Sequence, residues 1–467
     1  MDRTEIAIVG AGPAGLSAAL EASRAGARVT IIDEYSRPGG QYFKQPPSSF
    51  KLLDRSLMGR DYQAGQELLS RISDGNITLM SGTLVWGAFS PDTLELYQEE
   101  RGECLRLSSD RTIIATGAYD RPIAFPGWTL PGVITAGAAH SLVKSQFVLP
   151  GSRVLLAGSG PFQLPVASQL LKGGAQVVAV LEAGRVGGWV TRVPAIWRHL
   201  DKVNEAKDYL GAILKARVPY EFGWTVIEAR GKDHVEDAVI SQLDENYHPI
   251  SGTERVLQVD TICLGFGFIP SLQLPRLLGC ESAYDKGLSA WVTACDENQA
   301  TSVQGVYVAG ETTGIGGHDV AMCEGAVAGL RAASDIGKIG SDEAEDRLSK
   351  VRGNLKNHRE FSSFLNRTFS LRPGIFELAR EDTILCRCEE VTLGEVEGAA
   401  MECGGSIRTI KQLTRAGMGP CQGRICGSLV AQVATRISGN SIAEIAPDTP
   451  RPPIKPIPLG ALAKLAL

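Results

Sequence analysis

The sequence predicts an α/β fold that contains two βαβ units and a small C-terminal unit. Two apolar segments, residues 6–9 and 153–157, each lead directly into a glycine-rich turn, which is typical of βαβ units. Four cysteines in two close pairs lie near the C terminus and indicate the small unit. Because 467 residues are too many for one core, we expect about three domains.

Composition narrows the class of protein. A charged fraction of 21% and a net charge of −5 describe an ordinary globular chain and give no reason to expect a nucleic-acid partner. No run reaches the ~18 apolar residues of a membrane span, and residues 1–5 lead straight into the first strand, so no signal peptide is expected. We expect a cytoplasmic chain whose ten cysteines are metal ligands, redox groups or core residues rather than disulfides.

The first βαβ unit begins with the strand 6–9 and the turn Gly10-Ala11-Gly12-Pro13-Ala14-Gly15, which matches G-x-G-x-x-G. The first glycine permits the tight turn, the second lets the backbone approach a pyrophosphate, and the third allows the helix 16–25 to pack closely on the strand. The positive N-terminal end of this helix faces the phosphates. A dinucleotide is therefore expected here, and a buried α/β turn without a ligand is the alternative.

The segments after this turn supply further parts of the expected site. The strand 28–32 ends at Asp33, with Glu34 beside it, where a ribose-binding carboxylate is required. A following glycine turn brings Gly40 and Gln41 close to the cofactor. Local patterns then predict a helix at 61–72, a strand at 77–86, a hairpin at 94–107, and a strand at 112–117 that ends beside the cofactor in Thr116 and Gly117.

A second βαβ unit follows the Pro and Gly breaks in residues 121–127. It consists of the strand 153–157, the turn Gly158-Ser159-Gly160-Pro161-Phe162-Gln163, the helix 164–172 and the strand 177–181, which ends at Glu182. Gln163 replaces the third glycine, so this helix is expected to pack less closely on its strand. Glu182 favours a ribose with free hydroxyls, and hence NAD or another adenosine nucleotide such as ATP over NADP. A degenerate unit kept only as architecture is the alternative.

A later segment resembles the second fingerprint of FAD-binding proteins. The strand 305–309 runs into Gly310-Glu311, and Gly317-His318 leads into the helix 320–333. In that fingerprint an acid after the glycine bonds the ribityl chain; it is usually Asp, and Glu311 is one methylene longer. With both fingerprints present, the first site is expected to hold FAD rather than NAD. No paired carboxylates and no nucleophile–base set are found, and His318 is the one histidine in a cofactor-facing stretch. It is a catalytic candidate, and a helix-start residue without a catalytic role is the alternative.

The paired cysteines have the spacings C-x-C and C-x4-C and are Cys386, Cys388, Cys421 and Cys426. Four thiolates from two loops suit a [2Fe-2S] cluster or a tetrahedral zinc ion. The C-x-C spacing is unusual for zinc, and glycines around the second pair leave N–H groups free to bond cluster sulfurs. We expect a [2Fe-2S] cluster, with zinc or unligated thiols as alternatives. The other six cysteines are interpreted as small core residues.

Five segments together resemble one known family: residues 10–15, 37–41, 115–122, 158–164 and 419–426. The family comprises the larger flavin subunits of bacterial multi-subunit amine dehydrogenases. Its members are the A-type flavin chain of opine oxidase, the α subunits of D-hydroxyproline and dye-linked L-proline dehydrogenase, and the B-type flavin chain of hydrogen cyanide synthase. The sarcosine oxidase α subunit is a more distant relative. The resemblance implies Rossmann domains like those of glutathione and thioredoxin reductase, and a C-terminal [2Fe-2S] domain similar to bacterioferritin-associated ferredoxin.

The resemblance also implies a division of labour. A partner β-type subunit, similar to FAD amine oxidases, oxidises the C–N bond of an amino acid or opine such as D-hydroxyproline, proline, octopine or nopaline. Electrons reach the chain described here, in some members through an FMN at the interface with the partner, and leave to a quinone, a dye or a small ferredoxin-like γ subunit. Alternative functions are a stand-alone NADH-dependent reductase, a non-catalytic scaffold and a glycine-oxidising component of hydrogen cyanide synthase. The expected location is cytoplasmic or peripheral to the inner membrane, without an integral membrane segment.

The expected domain order follows from these motifs. The FAD-binding domain is split into 1–122 and 269–340 by an inserted Rossmann domain at 123–268. A helical linker at 341–377 precedes the [2Fe-2S] domain at 378–467. The Pro-rich tail that ends this domain, at 450–458, is expected to be extended and to lie on another surface.

Overall fold

A computed structural model of the protein describes residues 2–47, 49–50, 60–72, 76–185, 200–445 and 447–466. Contacts divide the chain into two compact units. The first unit comprises 1–118, 269–363 and 449–467, and the second comprises 119–268 and 364–448. Two short strands, Ala118–Asp120 and Phe268–Pro270, lie where the chain passes between units. In the described part of the chain, no helix is long and apolar enough to cross a membrane.

The described residues of the first unit form a seven-stranded sheet around the first glycine turn. Its strands are β1 Asp2–Val9, β2 Val29–Ile32, β3 Ile77–Met80, β4 Thr83–Ser90, β5 Thr93–Gln98, β6 Glu103–Ile114 and a last strand, Val306–Val308. The order is β3-β2-β1-β6-β5-β4, with Val306–Val308 also paired with β6. The β1–β2, β2–β3 and β1–β6 pairs are parallel, so the carboxyl end of β1, where the turn begins, lies in the middle of the sheet. The prediction of one strand over 77–86 is wrong, because Gly82 adopts a φ of +59° and the chain turns there.

Helices cover this sheet. The α-helices of the first unit are Pro13–Arg24, Arg60–Ile72, Gln273–Leu277, His318–Asp335 and Leu459–Ala463, and the helix Ser341–Thr368 begins in this unit. The unit also has 3-10 turns at Gly310–Thr312 and Lys464–Ala466. A small antiparallel hairpin pairs Ser282–Asp285 with Ala290–Thr293. The helices that follow the two fingerprints pack backbone against backbone. A Cβ at Gly325 would lie 2.0 Å from the carbonyl oxygen of Ala14, and one at Gly329 would lie 2.2 Å from that of Ala18. Glycine at these two positions therefore brings the two fingerprints together.

The second unit is built on a five-stranded parallel sheet in its described residues. The strand order is Tyr220–Phe222, Gln176–Glu182, Arg153–Gly158, Thr261–Gly265 and Val133–Thr135. A three-stranded antiparallel sheet, Trp224–Arg230, Asp237–Gln242 and Arg255–Gln258, and a hairpin, Ile384–Cys386 with Val391–Thr392, complete the strands. The helices are Ala136–Ser141 with a π-turn at Leu142–Gln146, Gln163–Lys172, Leu200–Lys215, Leu393–Cys403, Ile407–Thr414 and Gly427–Ser438, with a 3-10 turn at Pro373–Glu377.

The segment that carries the cysteine pairs does not form a core of its own. Phe125 and Val226 from the inserted domain belong to the same buried cluster as Ile375, Leu385 and Val430. The sequence predicts a separate small unit at 378–467, and in the structure the cysteine-bearing segment shares buried residues with the inserted domain. The tail 449–467, expected to belong with the cysteines, is instead grouped with the first unit, because Ile454 is buried there against the strands of its sheet.

Candidate functional site

The first glycine turn has room for glycine alone at two of its three positions. Gly10 adopts a φ of +107°, and a Cβ there would lie 2.3 Å from the carbonyl oxygen of Ala115. A Cβ at Gly15 would lie 1.8 Å from the carbonyl oxygen of Gly10, so the helix crosses directly over the strand end. A Cβ at Gly12 would meet only the Cα of Gly40, at 3.8 Å. The turn is therefore closed on the sheet side and leaves space at Gly12.

A second loop lines the same turn. The backbone N–H of Gly39 donates to the carbonyl oxygen of Ala11 over 2.8 Å, and a Cβ at Gly40 would lie 2.7 Å from the Cα of Gly12. The side-chain amide of Gln41 donates to the hydroxyl of Tyr35. The structure thus places Gly40 against the turn and Gln41 against Tyr35, and the role of both residues in cofactor binding stays a prediction.

Asp33 is used to hold this turn together. Its buried carboxylate accepts the backbone N–H of Ala11 at 2.5 Å and that of Tyr35 at 2.8 Å. Burial raises the pKa of Asp33, and these two hydrogen bonds oppose the rise. The next residue, Glu34, keeps 38% of its side chain exposed and forms an ion pair with Lys455. Of the two predicted carboxylates, Glu34 is the more accessible.

The second fingerprint meets the first at Ala14. Gly310 adopts a φ of +75°, and a Cβ there would lie 2.8 Å from the Cβ of Ala14. Glu311 accepts the backbone N–H of Gly317 at 3.3 Å, just before the helix His318–Asp335, and burial raises its pKa to about 7. In the same unit, the hydroxyl of Thr116 donates to the carbonyl oxygen of Ser271, and Gly117 has nothing within 4 Å of an added Cβ.

Glu324 supports the second fingerprint and is not identified by sequence reasoning. Its side chain is buried and accepts the backbone N–H of Gly310 at 2.9 Å and the hydroxyl of Thr313 at 2.8 Å. Arg359 donates to the other carboxylate oxygen at 2.7 Å. Burial raises the pKa of Glu324, and Arg359 opposes that rise. The sequence feature that could have indicated Glu324 is its place as a single acidic residue among the small residues of the buried face of the helix His318–Asp335.

His318 lies flat on an aromatic ring. Its imidazole stacks on Tyr42 with centroids 3.8 Å apart and an interplanar angle of 9°, and its Nε2 is 3.0 Å from a carboxylate oxygen of Asp319. These contacts fix the orientation of the ring at the start of the helix. They give His318 a structural role and leave its catalytic role a prediction.

The second glycine turn is held by the same kind of carboxylate. Glu182 is fully buried and accepts the backbone N–H groups of Gly160 and Gly184, each at 2.9 Å. The side-chain amide of Gln163 donates to it at 3.3 Å, while the Oε1 of Gln163 has no hydrogen-bond partner among the described residues. Burial raises the pKa of Glu182. These hydrogen bonds of the carboxylate are all made within its own turn and the two residues that follow it.

The chain itself covers the open side of the second turn. The hydroxyl of Ser159 donates to the carbonyl oxygen of Phe369 at 3.2 Å, and a Cβ at Gly160 would touch the Phe369 side chain at 3.8 Å. On the helix side, the ring of Phe162 packs edge-on against Phe268 with centroids 5.2 Å apart. A side chain added at Gly160 would thus meet a phenylalanine side chain of the same unit, whereas one added at Gly12 would meet only backbone.

The four cysteines form two thiol pairs. Cys386 hydrogen-bonds to Cys426, and both are buried; Cys388 hydrogen-bonds to Cys421 nearer the surface. The contact with Cys426 lowers the pKa of Cys386 to about 5 against the effect of burial, and the backbone N–H groups of Gly417, Glu389 and Cys388 add to that lowering. Within the described residues, no three Cys, His, Asp or Glu side chains are arranged to hold a metal ion. The pairs form a thiol-rich site in which backbone N–H groups favour a thiolate at Cys386, whereas burial raises the pKa of Cys388, and the contact to Cys386 together with burial raises that of Cys426.

Two arginines within the cysteine loops rest on aromatic rings of the second unit. Arg387 lies over the ring of Trp128, 4.6 Å from its centroid, and donates to the Trp128 carbonyl oxygen. Arg424 donates to the hydroxyl of Tyr119 at 2.8 Å and to the carbonyl oxygen of Cys421 at 3.1 Å. These contacts fix both cysteine loops on residues of the second unit.

Comparison with known proteins agrees with this geometry. Residues 4–328 match the pyridine nucleotide-disulphide oxidoreductase family, and the chain belongs to that family. It is therefore a flavin-dependent oxidoreductase, and the family implies FAD binding. Residues 381–465 match the sarcosine oxidase A3 domain.

Sequence similarity to known proteins extends along nearly the whole chain. The chain is 33% identical to the HcnB component of hydrogen cyanide synthase from Pseudomonas aeruginosa over 98% of both chains, and 30% identical to the A-type chain of opine oxidase from Rhizobium meliloti over 99% of this chain and 87% of the relative. The crystal structure of L-proline dehydrogenase from P. horikoshii shares the fold, with a TM-score of 0.68 and 21% identity over 99% of this chain and 80% of that chain. The expected α/β flavoprotein fold and family are thereby confirmed.

Proposed function

We propose that this chain is the flavin and iron–sulfur subunit of a hetero-oligomeric dehydrogenase that oxidises the C–N bond of an amino acid or opine. The observation that carries the proposal is the pairing, in one chain, of an open nucleotide turn at Gly12 with a site of four paired cysteines. The relatives that match over the full chain are named as subunits of larger enzymes, which supports a partner that binds the substrate.

FAD is assigned to the first unit. The residues that would hold it are Gly10, Gly12, Pro13, Ala14, Gly15, Glu34, Gly40, Gln41, Thr116, Gly117, Gly310, Glu311, Gly317 and His318, with Asp33 holding the turn. When bound, FAD and a [2Fe-2S] cluster supply two-electron and one-electron redox chemistry, respectively. The turn offers the N-terminal end of Pro13–Arg24 to the pyrophosphate, and Glu34 offers a carboxylate to the ribose.

The cluster is assigned to Cys386, Cys388, Cys421 and Cys426. Four thiols from two loops match the ligand set of a [2Fe-2S] cluster. The backbone N–H of Gly417 that bonds Cys386 is the kind of contact that stabilises a thiolate ligand. Zinc on the same thiols is the alternative, and iron and sulfide analysis distinguishes the two.

The proposed reaction converts a CH–NH group into C=N. It removes two electrons and two protons from the amine, and an added dye or quinone takes up the electrons. The substrate is assigned to a β-type FAD subunit, with a γ subunit or an interfacial FMN as further components. Among amines, D-hydroxyproline, proline and the opines are preferred; glycine is the second candidate, because the chain is 33% identical to a component of hydrogen cyanide synthase.

The contacts of the second turn argue against a stand-alone NADH reductase. NADH would lie against Phe369 at Gly160, and Glu182, already bonded to backbone N–H groups, has no second carboxylate beside it to offer to a ribose. A second nucleotide, NAD or ATP, at Gly158, Gly160, Pro161, Phe162, Gln163 and Glu182 would therefore lack the carboxylate that Glu34 provides in the first turn. A scaffold without redox function is the other alternative, and failure of the flavin and the cluster to become reduced during turnover of the complex would favour it.

The test is anaerobic co-purification of the chain with the product of its neighbouring gene, followed by addition of each amine while spectra are recorded. The proposal expects one amine to bleach the flavin and reduce the cluster only when the partner is present. Iron and sulfide should be equimolar, at two of each per chain. Reduction of the isolated chain by NADH, with no response to any amine, would contradict it.

Matched variants assign the cluster ligands. Cys386→Ser and Cys421→Ser each remove one thiol from a different pair, and both should lower bound iron and sulfide to background. Cys403→Ser alters a half-buried cysteine outside the pairs and should keep the full content. Equal iron in all three variants would remove the assignment.

A further inference from the structure

The C-terminal tail lies along the sheet edge next to the first nucleotide turn. The backbone N–H of Ile454 donates to the carbonyl oxygen of Trp86 on β4 at 2.8 Å, and Ile454 is 4% exposed. Pro452 packs beside Gly87, 3.5 Å from the position of an added Cβ. The residue after Ile454 is therefore held in place by the backbone rather than by its own side chain.

That residue, Lys455, reaches the carboxyl end of β2. Its ammonium group forms an ion pair with Glu34 and retains only 27% of its side-chain exposure. Burial lowers the pKa of Lys455 to about 8, and the charge of Asp33 opposes that lowering. One cation from the far end of the sequence thus faces the two adjacent carboxylates at the end of β2.

The two carboxylates have different tasks. Asp33 accepts the backbone N–H of Ala11 in the glycine turn and that of Tyr35, whereas Glu34 accepts no backbone N–H in the described contacts. The end of the second strand is where a Rossmann unit binds the ribose of an adenosine nucleotide through a carboxylate. An ion pair with a fixed partner restricts the rotamers of such a side chain before the ligand arrives.

We propose that Lys455 is a positioning residue of the first nucleotide site, holding Glu34 toward the ribose hydroxyls of a bound adenosine dinucleotide and so making retention of that nucleotide depend on the docked tail. This inference rests on the proposed function, because it takes FAD as the nucleotide. It adds a recognition element that lies more than 400 positions away from the glycine turn in the sequence.

The test measures FAD affinity of the full-length deflavinated chain by fluorescence quenching. Lys455→Met keeps the apolar stem and removes the charge, and it should weaken FAD binding by about tenfold. Lys455→Arg should restore most of the affinity. Lys338→Met is the matched control, since Lys338 forms an ion pair with Glu5 at 2.7 Å in the same unit but outside the turn, and it should leave FAD affinity unchanged.

A double-variant cycle separates positioning from general stabilisation. If Lys455 acts through Glu34, Glu34→Gln with Lys455→Met should bind FAD no more weakly than Glu34→Gln alone. Wild-type affinity in Lys455→Met, or losses that multiply in the double variant, would overturn the inference while leaving the proposed function intact. A wild-type chain that does not bind FAD would overturn both.

Discussion

The two glycine turns of this chain are held by the same kind of buried carboxylate and differ in the residues around it. Each turn is held by a buried carboxylate at the end of the second strand, Asp33 or Glu182. Each carboxylate accepts one backbone N–H of the glycine turn and the backbone N–H of the residue two positions after itself. The residue after the carboxylate is Glu34 in the first turn and Ala183 in the second. Only the first turn therefore has a second carboxylate to offer to a ribose.

The open sides of the turns differ as well. Gly12 faces only the backbone of Gly40, whereas Gly160 faces Phe369. The third position is Gly15 in one turn and the buried Gln163 in the other. An acid at the end of the second strand thus marks a stable turn, and the accessible surface beside it decides whether a nucleotide fits.

The largest expected effect comes from filling the open turn. Gly12 has a φ of −78°, so the backbone accepts any residue, and an added Cβ would meet only the Cα of Gly40, at 3.8 Å. Gly12→Val should fold normally and lose FAD affinity by at least ~100-fold, because the side chain takes the place of a pyrophosphate. Gly353→Ala, in open space on a helix of the same unit, is the control. Full FAD content in Gly12→Val would break the comparison.

The next effect concerns Glu311, whose pKa is raised to about 7 by burial. In the unfolded chain the carboxyl loses its proton near its ordinary pKa of 4.5, whereas in the folded chain it keeps the proton up to about pH 7. The contribution of Glu311 to the free energy of unfolding is therefore greatest below pH 4.5 and decreases as the pH rises toward 7. Glu311→Gln removes this loss and should stabilise the flavin-free protein by ~1–2 kcal/mol at pH 8 and by nothing below pH ~4.5. Thermal unfolding across this pH range checks it, and a pH-independent difference would be contrary to the account.

Because the two buried carboxylates make the same kind of hydrogen bonds, replacing either one should lower the free energy of unfolding by a similar amount. Asp33→Asn and Glu182→Gln each replace an oxygen that accepts a backbone N–H with a donor, and each should cost ~1–2 kcal/mol in urea unfolding. A loss of stability in only one of the two variants would show that the two carboxylates do not stabilise their turns in the same way.

The smallest effect tests the cover of the second turn. Ser159→Ala removes the hydroxyl that bonds the Phe369 carbonyl oxygen and should cost ~0.5–1 kcal/mol of stability. It should not create an NADH site, because the Phe369 side chain still faces Gly160. Calorimetry with NADH up to ~1 mM should show no binding in the variant or the wild type. Tight NADH binding by the wild type would contradict the closed turn.

Sequence patterns predicted the parts of the fold that depend on local periodicity. The helix Gln163–Lys172 and the strands on either side of it lie within a residue or two of the expected positions, since continuous apolar runs that end at glycine or acidic residues mark buried parallel strands. The shared core of Phe125 and Leu385 was not predicted, because it depends on contacts between segments far apart in sequence.

The same reasoning applies to the candidate site. Motif spacing located Gly12 and Asp33, but the use of Asp33 within its turn depends on backbone geometry that no spacing reveals. Lys455 and Phe369 come from distant segments with no motif, so only the folded chain shows that one lies at the first turn and the other at the second.

The most direct test of the two-turn comparison is the nucleotide stoichiometry of the purified chain. Equilibrium dialysis against FAD, and then of the FAD-loaded chain against NADH and against ATP, counts both sites at once. One FAD per chain and no bound NADH or ATP are expected. A second nucleotide on the FAD-loaded chain, or bleaching of the flavin by NADH, would contradict it.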